Sequence, residues 1–410
     1  MSKKDNTEVR NLNISFFIPW ITQGRGGTEN VGSMMVNSMV ERGHNVRIYT
    51  FDDKNRSPTW PLHDDVDVRC HPEKITQNSA GQILMELAIQ EPDLIVGLHM
   101  NREFLRYVYF GNRLEIPVLL SEHIDPRAPQ EIGTFTQTER VAIFSGADRI
   151  HLLIDEFRNT LPDFLQKRIC VVPNTVVPAR RLADPRGAMN RKSVILAVAR
   201  LVPRKNLANL IKAFAFAHVD QPGWVLKIVG YGSQRNFLEK LAENLGVMDS
   251  VEFVGRMEDA YPAYEEAQIF VLPSITEGFP MTSLEAMAHS LPLLGYAKCP
   301  GINIQIRHGK NGLLAEGGRD VGSLDVELAR MMSDPDLRVK LGEESYKIYQ
   351  KEYSPQVIAE KWEKMFLDAA HADLSEKAVE LTDKEYAALN LKRMTDTGMK
   401  EYSEYQNCLV

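Results

Sequence analysis

The sequence predicts an α/β protein built from two doubly wound parallel sheets that face each other. Three observations carry that expectation. Short apolar runs alternate with longer amphipathic stretches, as the strand–helix units of a parallel sheet do. The alternation stops at PARRLADPRGAMNRK, residues 178–192, a segment with two prolines, a glycine and no apolar period, and then restarts. At 410 residues the chain is also longer than one hydrophobic core serves, so two domains are expected.

The N-terminal domain is expected over 1–177. NISFFIPW (13–20) reads as its first strand, followed by the glycine-rich turn TQGRGGTEN and the helical run NVGSMMVNSMVERG. VRIYTF (46–51), LIVGL (94–98) and VLLSEH (118–123) continue the strand series, and RICVVPN (168–174) closes it. Residues 178–192 form the linker. The second domain, 193–352, opens with SVILAVARL (193–201), the helix NLANLIKAFAFAHV and WVLKIVGYG (224–232). VEFVG (251–255), IFVLPS (269–274) and LPLLGY (291–296) complete it. A helix over 353–370, with Pro355 at its first position after Ser354, is expected to return towards the N-terminal domain. Residues 371–410 read as a charged tail.

Composition narrows the function. The chain is 44% hydrophobic and 25% charged, an ordinary globular balance, and its net charge of −7 argues against a nucleic-acid binder. Cys70, Cys170, Cys299 and Cys408 show neither metal nor redox spacing and read as free thiols of a reducing compartment. No secretory leader and no run of about 20 apolar residues is visible, so a cytoplasmic location is expected. Arg180, Arg181, Arg186, Arg191 and Lys192 form a basic cluster that suits either a solvated linker, the favoured reading, or peripheral contact with anionic lipid at the inner face of the membrane.

Ligands of doubly wound sheets sit outside the carboxyl ends of the strands, which selects the candidate residues. In Gly24-Arg25-Gly26-Gly27-Thr28-Glu29, glycines at a strand-to-helix turn let backbone amides approach a phosphate. This is neither a G-x-G-x-x-G fingerprint nor a Walker A loop. In AVARLVPRKN, Arg200 at a strand end and Lys205 before a helix suit a diphosphate, against the plainer reading of Arg204 and Lys205 as a solvated turn. Gly230-Tyr231-Gly232 is a weak phosphate signal that also suits a tight turn, and His123 ends the strand VLLSEH. EGFPMTSLE sets Glu277 and Glu285 eight positions apart, and Thr282 to Glu285 reads as a capping box with Thr282 as N-cap. Asp65-Val66-Asp67 and Asp334-Pro335-Asp336 match a metal-chelating D-x-D pattern but lie in polar connections, so no metal is expected.

In chain order these pieces resemble a retaining glycosyltransferase of the GT-B fold, glycosyltransferase family 4 (glycosyl transferases group 1), over residues 12–370. Gly26-Gly27-x-Glu29 is similar to the family's first loop, ARLVPRKN to its G-R-L-x-x-x-K-N segment, with Ala199 where glycine is usual, and IVGYG to its strand ending in G-x-G. VVPNTV resembles its P-N-G-V stretch, EGFPMTSLEAM its E-x7-E motif and HGKNGLL a further signature. The glutamate that usually precedes the last signature has no counterpart in CPGINIQIRHG (299–309), and the 371–410 tail has none in the family.

The resemblance implies two Rossmann-like domains facing across a cleft, an acceptor side and a donor side. It implies transfer of a sugar from a nucleoside diphosphate-sugar to a glycan or lipid-linked acceptor, with no cofactor and no obligatory metal. A uridine carrier is favoured over guanosine or adenosine. Arg200 and Lys205 would neutralise the diphosphate, with Gly230 and Gly232 beside it. Glu285 would take the ribose hydroxyls, and Glu277 with the backbone of Gly278, Phe279, Pro280, Met281 and Thr282 the donor sugar. His123 and Gly26-Gly27 would act from the N-terminal domain. The leaving phosphate would take the acceptor's proton, giving retention in surface polysaccharide or glycolipid synthesis. A nucleotide-sugar epimerase on the same architecture is the alternative. A glycosidase built on the two glutamates and a nucleotide-sensing protein without turnover are weaker ones.

Overall fold

A computed structural model of the chain describes residues 11–22, 26–52, 58–72, 77–98, 103–127, 137–187 and 192–372. Two compact units result, one built from residues up to Val172 and from Ala359 onward, the other from Pro173–Ile358. Gly24, Arg25, Arg191, Cys408 and nearly all of the 371–410 tail lie outside the described residues.

Among the described residues, the first unit holds a seven-stranded parallel sheet in the order β3-β2-β1-β4-β5-β6-β7. The strands are β1 (Asn13–Phe17), β2 (Asn45–Thr50), β3 (Asp67–Cys70), β4 (Leu94–Leu98), β5 (Val118–Ser121), β6 (Arg149–Leu152) and β7 (Ile169–Val171). β4 and β5 are buried along their whole length, which is why they read as unbroken apolar runs. Helix α1 (Gly27–Glu41) starts three residues ahead of the expected run, so that Gly26 is its N-cap. Around β1, Phe17 stacks on Tyr107 at 4.4 Å and on Tyr49 at 4.9 Å. The helix Pro355–Ala370 adds Trp362, fully buried, and Phe366, edge-on to Phe16 at 5.5 Å. Glu363 of the same helix accepts from Arg42 at 2.7 Å and lies 3.2 Å from His44.

The second unit repeats the plan with six strands in the order β10-β9-β8-β11-β12-β13. These are β8 (Ser193–Val198), β9 (Trp224–Val229), β10 (Val251–Gly255), β11 (Ile269–Leu272), β12 (Leu293–Tyr296) and β13 (Gly312–Ala315). In both sheets the strand order reverses beside the first strand, between β1 and β4 and between β8 and β11. A reversal of this kind opens a crevice at the carboxyl ends of the strands.

The described part of the expected linker is held to the second unit. Ala183 N donates to His289 O at 2.9 Å, and the buried Arg338 donates from Nε to Pro185 O at 2.7 Å while stacking on Trp224. A single buried arginine gathering carbonyls leaves no periodic signal in the segment it binds. Two cations of the basic cluster have acid partners, Arg181 with Glu265 at 2.7 Å and Arg186 with Asp336 at 2.6 Å. Both D-x-D pairs have structural work: Asp67 starts β3 and pairs with Arg47 at 2.7 Å, and Asp334 caps the helix Pro335–Ile348. No helix among the described residues is long and apolar enough to cross a membrane.

Beside the carboxyl end of β5, Glu122 and Arg140 form a bidentate ion pair with no solvent exposure, at 2.8 and 2.6 Å. Burial raises the Glu122 carboxyl above its ordinary range, and the Arg140 charge only partly offsets it. Removing one member leaves the other charge buried alone. Arg140→Met is therefore expected to cost about 3–5 kcal/mol in urea unfolding, and the double variant Glu122→Leu/Arg140→Met less than the sum of the two singles.

Candidate active site

In the second unit, two loops meet at the reversal between β8 and β11. After β8, a one-turn 3-10 helix (Pro203–Lys205) carries Arg204 and Lys205 and ends at Asn206, whose φ of 55° is left-handed. Asparagine tolerates that conformation, and its Nδ2 donates to Gly318 O at 2.6 Å. The loop after β11 is tied to this turn by Ile275 N donating to Arg204 O at 2.9 Å. The tie brings Glu277 onto Lys205: the Lys205 ammonium donates to Glu277 Oε1, and Arg204 Nη1 lies 3.6 Å from Oε2.

Glu277 is 7% exposed and Lys205 9%. Burial by itself would raise the Glu277 carboxyl, but the Lys205 and Arg204 charges outweigh it and hold the group below its ordinary range. Lys205 is lowered by burial, with Glu277 opposing and the Arg204 and Arg200 charges adding to the fall. Arg200 itself is exposed. Glu277 is therefore a carboxylate at neutral pH and unsuited to act as a general acid.

Backbone contacts fix the loop that follows. Asn174 Nδ2 donates to Phe279 O at 3.0 Å, and Pro280 O accepts from Gln305 Nε2 at 3.0 Å and Ser283 Oγ at 3.1 Å. Phe279 is buried against Tyr353, its ring 5.5 Å away. Gly301 has φ +78°, and a Cβ there would lie 2.5 Å from Gly278 O and 3.3 Å from Glu277 O. The acid-free 299–309 segment thus supports the Glu277 loop through Gly301 and the buried Gln305. Asn174 and Gln305 were not among the expected site residues: Asn174 lies in VVPNTV, which was read only as a family likeness, and Gln305 carries no motif of its own.

The capping-box reading of Thr282 and Glu285 is incorrect. The helix starts earlier, at Met281, with Pro280 as N-cap (φ −66°, ψ 132°). Proline already supplies the extended geometry of an N-cap, so Thr282 falls at the second helical position and Glu285 at the fifth, too far along to reach back. Thr282 Oγ1 is buried and makes no hydrogen bond. Glu285 Oε2 instead accepts from the buried Tyr264 hydroxyl at 2.6 Å. Burial raises the Glu285 carboxyl, with the Tyr264 hydrogen bond working against it. Tyr264 in turn stacks on His289 at 5.1 Å, and His289 Nδ1 donates to Glu285 O at 2.6 Å. No contact joins Glu285 to the Lys205–Glu277 pair.

Gly230 and Gly232 serve the loop that carries Arg200. A Cβ on Gly230 would sit 1.9 Å from Ala199 O, and one on Gly232 2.3 Å from Leu201 O, while Leu201 N donates to Tyr231 O at 2.8 Å. The G-x-G sequence therefore permits close approach of the two backbones.

In the first unit, Gly26 and Gly27 are exposed at the start of α1, with Glu29 buried in its first turn. His123 is half-buried two residues beyond β5, its Nε2 2.7 Å from Ser121 Oγ. Ser121 Oγ lies 2.6 Å from Nδ1 of the fully buried His151, whose Nε2 lies 2.7 Å from Val172 O. Burial lowers His151 to about 4, with the Val172 carbonyl opposing.

Because the unfolded chain protonates His151 near 6.5 and the folded chain does not until about 4, its contribution to stability is intact above pH 6.5 and is lost as pH falls towards 4. Urea titrations should show the wild type losing about 3 kcal/mol across that window relative to His151→Phe. Parallel pH profiles of the two proteins would contradict the assignment.

Residues 181–348 match the family model of glycosyl transferases group 1. An exopolysaccharide phosphotransferase of Streptomyces coelicolor is 32% identical over 62% of this chain, which spans only 28% of that relative's length. An uncharacterized glycosyltransferase of Haemophilus influenzae is 26% identical over 85% of this chain and 98% of its own length. Among solved structures, HepE of Anabaena in complex with UDP-glucose superposes with a TM-score of 0.70 at 15% identity, covering 87% of this chain and 100% of that one. The fold of this chain is GT-B, and its residues 181–348, which include Arg200, Arg204, Lys205, Glu277 and Glu285, match glycosyl transferases group 1.

Proposed function

We propose that this chain transfers a sugar from a nucleoside diphosphate-sugar to a glycan or lipid-linked acceptor, with retention of configuration, in the assembly of a surface polysaccharide or glycolipid. The observation that carries the reading is the charge cluster at the β8–β11 reversal. Arg200, Arg204 and Lys205 outnumber the single Glu277 carboxylate and leave two positive charges in excess. A diphosphate complements that excess without a metal ion, and departure of the nucleotide is favoured where such charges are already in place.

Glu277 supplies the second element. Ionised and fixed by Lys205, it accepts hydrogen bonds from hydroxyls of the transferred sugar, while Glu285 takes the ribose hydroxyls. Within the first unit, His123 and the Gly26-Gly27 turn are the groups proposed to contact substrate. No carboxylate serves as nucleophile in this scheme; the leaving phosphate takes the acceptor's proton on the face it vacates. The complex of HepE with UDP-glucose favours a uridine carrier here.

Thermal shifts with UDP, GDP and ADP test the nucleotide, since a ligand that binds only the native state stabilises it in proportion to ln(1 + [L]/Kd). UDP is expected to give the largest shift; no shift with any of the three would refute a nucleotide donor. Glu277→Gln should lower sugar transfer roughly a hundredfold while changing the UDP Kd by less than about threefold. Transfer at the wild-type rate would remove Glu277 from the donor site. Incubation with UDP-glucose alone should leave its sugar unepimerised, and a new epimer would establish the isomerase instead.

A further inference from the structure

Two cations hold the Glu277 charge, whereas among the described residues no cation pairs with Glu285. One hydroxyl reaches its carboxylate instead. Tyr264, fully buried in the helix Tyr261–Glu266, donates to Glu285 Oε2 at 2.6 Å, and among the described residues that oxygen is the one acceptor of the Tyr264 hydrogen. Ring packing fixes the donor: Tyr264 stacks on Phe270 at 5.7 Å and on His289 at 5.1 Å. His289 is itself held, by Nδ1 on Glu285 O and by the Tyr261 ring edge-on at 4.8 Å, while the Tyr261 hydroxyl donates to Val177 O at 2.7 Å. That leaves Glu285 Oε1. It makes no hydrogen bond among the described residues, and the half-buried side chain keeps this oxygen open to solvent.

We infer that Tyr264 is a positioning residue that commits Glu285 Oε2 to the protein and leaves Oε1 as the oxygen that accepts from the ribose hydroxyls of the nucleotide. The inference rests on the assignment of Glu285 to the ribose proposed above. Its charge depends on the same contact. Burial raises the Glu285 carboxyl and Asp259, ahead of the Tyr264 helix, raises it further, so the Tyr264 hydrogen bond is the influence that favours the ionised form. The other titratable groups turned towards the cluster are Tyr261 and Glu265 of that helix, Tyr349, His289 and Arg180. Burial raises both tyrosines and lowers His289, so all three are neutral at pH 7, and Arg180 acts on Tyr261. Without the Tyr264 hydroxyl the carboxyl takes a proton at higher pH, and a protonated carboxyl offers the ribose less acceptor capacity.

Tyr264→Phe removes the hydroxyl and keeps the stacked ring. Carbon-13 NMR of the full-length protein with labelled glutamate carboxyls, without ligand, reads the Glu285 titration directly, and Glu285→Gln assigns its resonance. In Tyr264→Phe the midpoint should rise by about one pH unit. Calorimetric titration with UDP and with 2′,3′-dideoxyuridine diphosphate then isolates the ribose hydroxyls. Tyr264→Phe should weaken UDP about tenfold at pH 7 and less at about pH 8.5, where the carboxyl ionises unaided, and should change the dideoxy Kd by less than about twofold. A purely structural defect would weaken both nucleotides at both pH values, and that result overturns the positioning role. An unmoved Glu285 midpoint or wild-type UDP affinity in Tyr264→Phe overturns it equally. Glu285→Gln separates the two readings: selective loss of UDP there, with none in Tyr264→Phe, retains the ribose assignment and refutes only the part given to Tyr264. Wild-type binding of both nucleotides by Glu285→Gln, or no UDP binding by the wild type, removes the ribose assignment and the proposal together.

Discussion

The buried Lys205–Glu277 pair is the interaction on which the organisation of the second unit's site depends. Neither charge is stable alone at that depth, because desolvation of an isolated ion costs several kcal/mol. Together they bind the loop after β8 to the loop after β11 at the reversal of strand order. The remaining features of the region follow from holding those loops still. Asn206 turns the first loop away towards Gly318, and Gly230 and Gly232 let it lie against the end of β9. Asn174, Gln305 and Ser283 fasten the second loop by its carbonyls. The result is a fixed carboxylate surrounded by an excess of cations.

Pairing also changes how the two residues are understood. Read separately, Lys205 is a phosphate ligand and Glu277 a sugar ligand. In the structure the lysine first serves the glutamate, and the exposed Arg200 and partly exposed Arg204 carry the surplus positive charge. Glu285 belongs to a different environment, an aromatic cluster with Tyr264, Tyr261 and His289 in which burial raises its proton affinity. The two glutamates of one motif are thus held in opposite electrostatic settings.

Much of the fold was legible in the sequence because most strands are buried on both faces and read as continuous apolar runs. Three strands were missed for a common reason. DVRC, RIHL and GLLA are short, and the first two are broken by charged or polar residues that a neighbouring element satisfies: Asp67 by Arg47, His151 by Ser121 and Val172. The site was legible as residue types at strand ends but not as contacts. Lys205 and Glu277 are 72 positions apart, and nothing local reports that they meet. The capping-box pattern misled because it ignores what Pro280 does to the backbone; the amide of Gln305 has no local signature, and VVPNTV marks Asn174 without reporting that it meets Phe279, 105 positions away.

The close approach of Gly301 to the Glu277 loop has a consequence for how such a site can diverge. The room beneath Gly278 is smaller than a methyl group, so the position of the loop depends on volume at position 301 as well as on the charges of the Lys205–Glu277 pair. A side chain added there would displace the Gly278 carbonyl and the carboxylate beside it while Lys205, Arg204 and Glu277 themselves stayed the same. The setting of the Glu277 carboxylate can therefore change through a residue that carries no charge and no polar side chain.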